Sequence, residues 1–376
     1  MSSATPTKLD PKKLREQLSH WLSREVTALE RIGGGRNSQV YRVEVSSADL
    51  RSAVSQASGP QTIPFAAGSN QFALKLYFRH PNDPRDRLAT EFNGFAYLWA
   101  HGFRQIPQPL AFDAALGWAL YEFIEGERVV SGQPGEAEVQ ASADFLGRLR
   151  ELSRREESRA LGIASEACFA PRLLVENVRH RLERLREPAP ADAIFRALAD
   201  FLSSEISPFL EQLVPWSRAR LEAAGESFAD ELARDRRTLS PSDFGFHNAL
   251  RRPDGRIIFL DFEYFGWDDP AKMIADFLLH PAMDLSAQLK RQFATAVLSR
   301  FEDWPGLRGR LESVYPLYGM KWCMILLNEF LPEALLRRRF AALAPAEHSA
   351  LQLAQLAKAR QMLERIRGEF EAFPYA

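Results

Sequence analysis

Cysteine is nearly missing from this chain: only Cys168 and Cys323 occur in 376 residues. They lie far apart and form no Cys-x-x-Cys pair, which excludes a disulfide framework and a structural zinc site of the usual spacing. No apolar run approaches the ~20 residues that a membrane-spanning helix needs. The start, Met-Ser-Ser-Ala-Thr-Pro-Thr-Lys, has no apolar core of a signal peptide. Neither sign of charge is in excess. A net charge of −1 creates no field that calls for nucleic acid or an anionic membrane as partner. The arginine-rich stretch from Arg179 to Arg186 contains Glu183 and is followed by Glu187, the pattern of a solvated helix face. Internal repeats are missing too. These absences lead us to expect a soluble protein of the reducing cytoplasm, with its oligomeric state unreadable.

What is present is an ordinary globular composition, 46% hydrophobic and 26% charged, in a chain long enough for two lobes. Residues 1–8 lack structural signals, and Asp10-Pro11 opens a short helix to Leu22. From Thr27 to Val45 the pattern is strand, glycine loop (Gly33 to Ser38), strand. Residues 46–70, rich in Ser, Ala, Gly and Gln, resemble an inserted surface loop. Gln71 to Phe78 alternates as a strand. Asp83-Pro84 is expected to cap a helix that runs to about Ala100. Trp118 to Ile124 forms another strand, closed by Glu125-Gly126. From about residue 138 to 235, and again from 271 to 368, apolar residues recur at helical spacing. The expected fold is therefore α+β. It has an extension (1–26), a small antiparallel sheet with one helix (27–126), and a larger, mainly helical lobe (127–376).

Three features carry chemistry. The first is Ser242-Asp243-Phe244-Gly245-Phe246-His247-Asn248, followed by Leu260-Asp261-Phe262-Glu263. Between them, Pro253-Asp254-Gly255 has turn chemistry: Pro presets φ, Asp bonds locally, Gly allows φ > 0. A hairpin there sets Asn248 roughly opposite Asp261, within about a residue or two of register. An amide oxygen and a carboxylate at one end of a hairpin suit Mg²⁺, which takes few protein ligands and keeps water and phosphate oxygens. Second, Gly33-Gly34-Gly35 joins two strands, so it is neither a Walker loop nor a Rossmann fingerprint. It reads either as a plain hairpin turn or as an arch whose N–H groups cover phosphate. Third, Lys75 shares a strand face with Ala73 and Tyr77. It reads either as a solvated edge lysine or as a buried one needing an anion, which Glu91 on the next helix offers.

Taken in order, these features resemble the aminoglycoside phosphotransferase and choline kinase group of kinase-like phosphotransferases, over roughly residues 27 to 330. The resemblance implies a two-lobed protein-kinase-like fold and an ATP-dependent, Mg²⁺-dependent kinase of a small hydroxyl compound. It implies that Lys75 binds the α- and β-phosphates and pairs with Glu91, and that Gly34, Gly35, Asn37 and Ser38 lie over the phosphates. It implies that Glu122, by its carbonyl, and Ile124, by its N–H, hold adenine, with Tyr121 behind them. By the same resemblance Asp243 would accept or orient the acceptor hydroxyl, Asn248 and Asp261 would hold Mg²⁺, and Glu263 would reach the metal or order its loop. Asp269 and Asp276 match acidic positions with a structural look. The chain departs from the family at Pro241 and Ser242, where His and Gly or Arg are usual. It also departs at Gly245, where His is frequent, while a histidine stands at His247.

For the acceptor, Tyr318 and Trp322 would form a cation cage in a choline-type reading, against plain helix packing. No acidic run suited to a polycation is present beyond Trp267-Asp268-Asp269. A neutral hydroxyl compound such as a sugar or amino sugar is expected; aminoglycosides and amino alcohols belong to the same range. The alternative is a catalytically weak nucleotide-binding regulator. A protein kinase is disfavoured because the segment after Asp261 leads straight through Asp269-Pro270 into a helix, with no room for an activation loop.

Overall fold

The structure, a computed structural model, describes residues 10–33, 38–46, 70–79, 83, 85–130, 132–187, 192–332 and 345–375. Gly34, Gly35 and Asn37 of the glycine loop lie outside the described residues. The chain divides into two compact units, Met1–Arg128 with Ala249–Glu263, and Val129–Asn248 with Tyr264–Ala376.

The first unit opens on α1 (Pro11–Leu22), where the Asp10 carboxylate accepts from Lys12 N at 3.0 Å and Pro11 takes the first helical position. Leu14 and Leu18, one turn apart, are fully buried in the core of the unit. That core also takes Val43, Phe72, Leu74 and Leu120. They come from a five-stranded antiparallel sheet in the order β1-β2-β3-β5-β4. Its strands are β1 (Val26–Gly33), β2 (Ser38–Val45), β3 (Gln71–Tyr77), β4 (Pro109–Asp113) and β5 (Trp118–Glu122).

The helix that follows β3 starts later than its sequence suggests. α2 runs Arg87–Ala100, and Asp86, not Asp83, caps it by accepting from Ala89 N at 3.0 Å. Asp83 is instead bound by two guanidinium groups, Arg85 at 2.7 Å and Arg87 at 2.6 Å. Pro84 lies outside the described residues. The buried stripe of α2 is Leu88, Glu91, Phe92, Phe95 and Leu98, so an acid sits inside an apolar face.

A three-stranded sheet joins β6 (Glu127–Arg128), β8 (Ala249–Arg251) and β9 (Ile257–Phe259). Its β8–β9 turn follows the sequence chemistry. Gly255 N donates to Arg252 O at 2.9 Å, Gly255 has φ 84°, and Asp254 Oδ1 accepts from Arg256 N at 3.0 Å. The ladder pairs Ala249 with Phe259. That is one residue from a register setting Asn248 opposite Asp261.

The second unit holds α3 (Glu136–Ser153), α4 (Pro171–Leu185), α5 (Ala193–Phe201) and α6 (Ser207–Ala223). It continues through α7 (Pro270–Leu279), α8 (Ala287–Leu298), α9 (Gly306–Leu326) and α10 (Pro345–Glu369). A short antiparallel pair, β7 (Thr238–Ser240) and β10 (Gly266–Asp268), sits among them. α9 packs against α4, α6, α7 and α10 and is buried on most of its circumference, as a central helix must be.

The α7–α9 contact carries a charge. Asp269 caps α7 through Ala271 N at 2.8 Å, and its other oxygen takes the Arg310 guanidinium at 2.7 Å, both residues being about 1% exposed. Removing the carboxylate strands a buried cation, which typically costs 3–5 kcal/mol. Asp269→Ala is therefore expected to lose about 3–5 kcal/mol in urea unfolding. A loss under ~1 kcal/mol, the level of a surface pair, would contradict this account.

Candidate active site

Lys75 lies mid-strand in β3, between Leu74 and Leu76, and is buried. Its ammonium meets two carboxylates, Glu91 Oε2 at 2.5 Å and Asp261 Oδ1 at 2.5 Å. Burial works against the charge on Lys75, but Asp261 and Glu91 outweigh it and hold the group well above the usual lysine range. Glu91 uses both oxygens. Oε2 also accepts from Tyr77 Oη at 2.6 Å, and Oε1 accepts from Phe262 N at 3.2 Å. Tyr77 and Tyr121 share a hydrogen bond of 2.7 Å between their hydroxyls. Tyr77 has no role in the sequence reading, although strand alternation sets it on the Lys75 face. Asp261 itself has φ 66°, a left-handed conformation that Asp tolerates better than most residues. Among the described residues, the contact its carboxylate makes is that of Oδ1 with Lys75.

The other residues expected in the nucleotide and metal sites spread around this cluster. Ser38 opens β2, opposite Tyr77 in the ladder. Glu122 ends β5, its N donating to Gln108 O at 2.8 Å and its carboxylate lying 3.6 Å from Arg252. Ile124 is buried in the segment after β5, which is neither strand nor helix. Glu263 is buried, 3.7 Å from Arg87 of α2.

Asp243 belongs to the second unit, on the loop after β7. Its side chain remains 39% exposed, enough to meet a substrate. Oδ1 lies 3.0 Å from His247 Nε2 and 3.6 Å from His280 Nε2. The protein crowded around this carboxylate works against its charge. The hydrogen bond from His247, with the nearby His280 and Asn248, more than offsets that and holds it below the usual aspartate range. Asn248 donates its amide nitrogen to the Asp243 carbonyl at 3.1 Å, so its amide oxygen is the atom available to a cation.

The two histidines were the part of the site that sequence reasoning missed. His280 stacks face to face on His247, with centroids 3.8 Å apart and planes 4° apart, and Trp322 packs edge-on against it. The only signal was the histidine at 247. Gly245 completes the explanation. A Cβ there would come within 2.5 Å of Met283 Sδ and 2.9 Å of His247 Nδ1, so a side chain at 245 would displace the Met283 and His247 side chains. Asp243, His247 and His280 bring three ligand atoms within 4.8 Å of one another. Parallel rings cannot aim in-plane lone pairs at one ion, so in this arrangement they form a stack and not a metal site.

A family model described as "Phosphotransferase enzyme family" matches residues 28–310. The chain belongs to that family. As such it is a phosphotransferase with an alcohol group as acceptor. Solved structures share the fold at low identity. The spectinomycin phosphotransferase solved with ADP and spectinomycin aligns with TM-score 0.59 at 14% identity, covering 93% of this chain and 99% of that one. A Plasmodium vivax ethanolamine kinase aligns with TM-score 0.57 at 13% identity, covering 97% and 93%. A choline kinase from Cryptosporidium parvum Iowa II aligns with TM-score 0.56 at 13% identity, covering 93% of each chain. A comparison with curated protein sequences finds no match. The phosphotransferase has the small antiparallel sheet with its helix and the larger helical unit that a kinase-like fold implies. Among its described residues no helix is long and apolar enough to cross a membrane.

The histidine stack has a pH signature. Burial and the neighbouring His247 push His280 down to about 3, with Asp243 pulling the other way. A histidine neutral when folded and free to protonate when unfolded contributes stability fully above about 6.5. That contribution is lost as pH falls toward about 3. Stability of the phosphotransferase should therefore decline below pH ~6.5, this one proton adding up to about 1.4 kcal/mol per pH unit. His280→Gln should flatten the slope by one proton in urea titrations run at several pH values; an unchanged slope would refute the assignment.

Proposed function

We propose that this phosphotransferase transfers the γ-phosphate of ATP to a hydroxyl of a small molecule, with Mg²⁺ as the metal. The observation that carries the reading is Lys75, a buried ammonium fixed by Glu91 and Asp261 at 2.5 Å each. A lysine that must present a fixed positive charge to phosphate gains a defined direction.

The roles divide by chemistry. Lys75 binds the α- and β-phosphates, and Glu91, itself fixed by Tyr77 and Phe262 N, sets its direction. Glu122, at the end of β5, and Ile124, just after it, offer a backbone carbonyl and N–H to adenine, with Tyr121 behind them. Ser38 and the glycine loop, Gly34, Gly35 and Asn37, cover the phosphates. Asn248 and Asp261 supply a hard amide oxygen and a hard carboxylate oxygen, a donor set that fits Mg²⁺. Glu263, beside Arg87, orders the segment that carries Asp261. When bound, the ion neutralises phosphate charge. Asp243 meets the acceptor. His247 holds its Oδ1, and the carboxylate takes a hydrogen bond from the acceptor hydroxyl and aims its oxygen at the γ-phosphorus. The proton passes to Asp243 late, since a loose transition state demands little of a base.

For the acceptor, a neutral sugar or amino sugar fits better than a quaternary ammonium. Tyr318 is 2% exposed and belongs to the core, so Tyr318 and Trp322 do not form a cage. The Trp322 indole N–H is committed to Asp276 at 2.9 Å. The spectinomycin phosphotransferase, whose solved complex contains that hydroxylated compound and ADP, supports the broader range that includes aminoglycosides.

A library of hydroxyl compounds incubated with ATP and Mg²⁺ tests this. Wild type should phosphorylate at least one, and Asp243→Asn should lower its kcat by about 100- to 10,000-fold while still binding nucleotide. Asp261→Ala should lose Mg²⁺-dependent nucleotide binding more than Asp243→Asn does. Nucleotide binding with no transfer to any acceptor would overturn the kinase assignment, and the reverse order of binding losses would overturn the division of roles.

A further inference from the structure

Lys272 of α7 is about 1% exposed, so no substrate can touch it. An ammonium has three N–H donors, and all three are committed. One goes to Asp268 Oδ2 at 2.8 Å, one to Asp276 Oδ2 at 2.9 Å and one to Ser242 Oγ at 3.2 Å. The first two make an ion-pair network. The third reaches the residue directly before Asp243.

That residue is strained. Ser242 has φ 70°, and Asp243 N donates to Pro241 O at 3.0 Å across it. An i to i+2 hydrogen bond around a central residue of positive φ is the uncommon form of γ-turn, and it persists only when its surroundings enforce it. Pro241 offers neither an N–H nor a polar side chain for this purpose. Ser242 N donates to Ser240 Oγ at 3.0 Å, which ties one side of the turn. Among the described residues, the Ser242 side chain is tied only through Lys272.

The same ammonium reaches Asp243 by a second route. Asp276 accepts from the Trp322 indole through its other oxygen at 2.9 Å. Trp322 packs edge-on against His280, His280 stacks on His247, and His247 binds the Asp243 carboxylate. The backbone before Asp243 and its side chain are thus both anchored to one buried cation.

We propose that Lys272 is a positioning residue that holds the strained Ser242 turn, and with it the Asp243 carboxylate, in the orientation needed for transfer. The proposal rests on Asp243 as the residue that meets the acceptor. A plain core ion pair would be satisfied by Asp268 and Asp276 alone; the bond to Ser242 is what it does not explain.

Two sets of variants separate these accounts. Ser242→Ala removes the hydroxyl and leaves both carboxylate pairs of Lys272 in place. Ser242→Gly removes it and also relieves the backbone strain. Lys272→Met combined with Asp268→Asn removes the ammonium together with one carboxylate charge. Each is read by amide hydrogen exchange of residues 238–248, by melting temperature, and by slow hydrolysis of ATP with water as acceptor. In every folded variant, exchange at Ser242 and Asp243 should rise about tenfold, the effect of one lost hydrogen bond to a charged group. The kcat for ATP hydrolysis should fall about tenfold with KM for ATP unchanged. Wild-type exchange and kcat in both Ser242 variants would overturn the proposal, as would a wild-type Ser242→Gly beside a loosened Ser242→Ala, since strain alone would then explain the turn. If the double variant fails to fold, the Ser242 pair decides. If wild type hydrolyses no ATP, the kinase assignment is in question, while loop exchange still tests the role of Lys272.

Discussion

A positive charge buried in an apolar sheet constrains much of the first unit. Lys75 is tolerable only with its charge matched, and Glu91 and Asp261 match it from a helix and from the segment after a hairpin. Each partner carries its own requirement. Glu91 occupies a position in the apolar stripe of α2 where the next helical neighbours are leucine and phenylalanine, so it too needs bonds, and Tyr77 and Phe262 N supply them. Asp261 adopts a positive φ. One unfavourable burial therefore fixes a strand, a helix and a loop relative to each other.

The second unit solves a similar problem around Lys272. There the buried cation is matched by Asp268 and Asp276 and also reaches Ser242. The role proposed for Asp243 needs a carboxylate that is both accessible and oriented. The histidine stack restrains one of its oxygens, and the Ser242 turn restrains the backbone before it. The departures of this loop from its family belong together. A side chain at Gly245 would displace His247 and Met283, and with Pro241 unable to bond, the serine after it takes the anchor.

Much of this was legible in the residues because local chemistry decides it. Pro253-Asp254-Gly255 fixes its own turn. Alternation in Gln71 to Tyr77 fixes which side chains accompany Lys75. Glu91 was the acid that the next helix offered to that lysine. Asp86 rather than Asp83 begins α2, since two nearby arginines outbid the helix end for the Asp83 carboxylate. That competition depends on where Arg85 and Arg87 point, which spacing does not reveal.

The sequence by itself determined the order of elements, the family and the identity of the chemical groups, since turns, periodicity and motif spacing are properties of neighbours along the chain. That Tyr77 joins the Lys75 cluster, that Tyr318 is core, and that His280 and Lys272 reach the Asp243 loop came from the packing of distant segments. His280 is 37 positions from Asp243 and Trp322 a further 42, and contacts at such separation arise from helix packing, which no local pattern encodes.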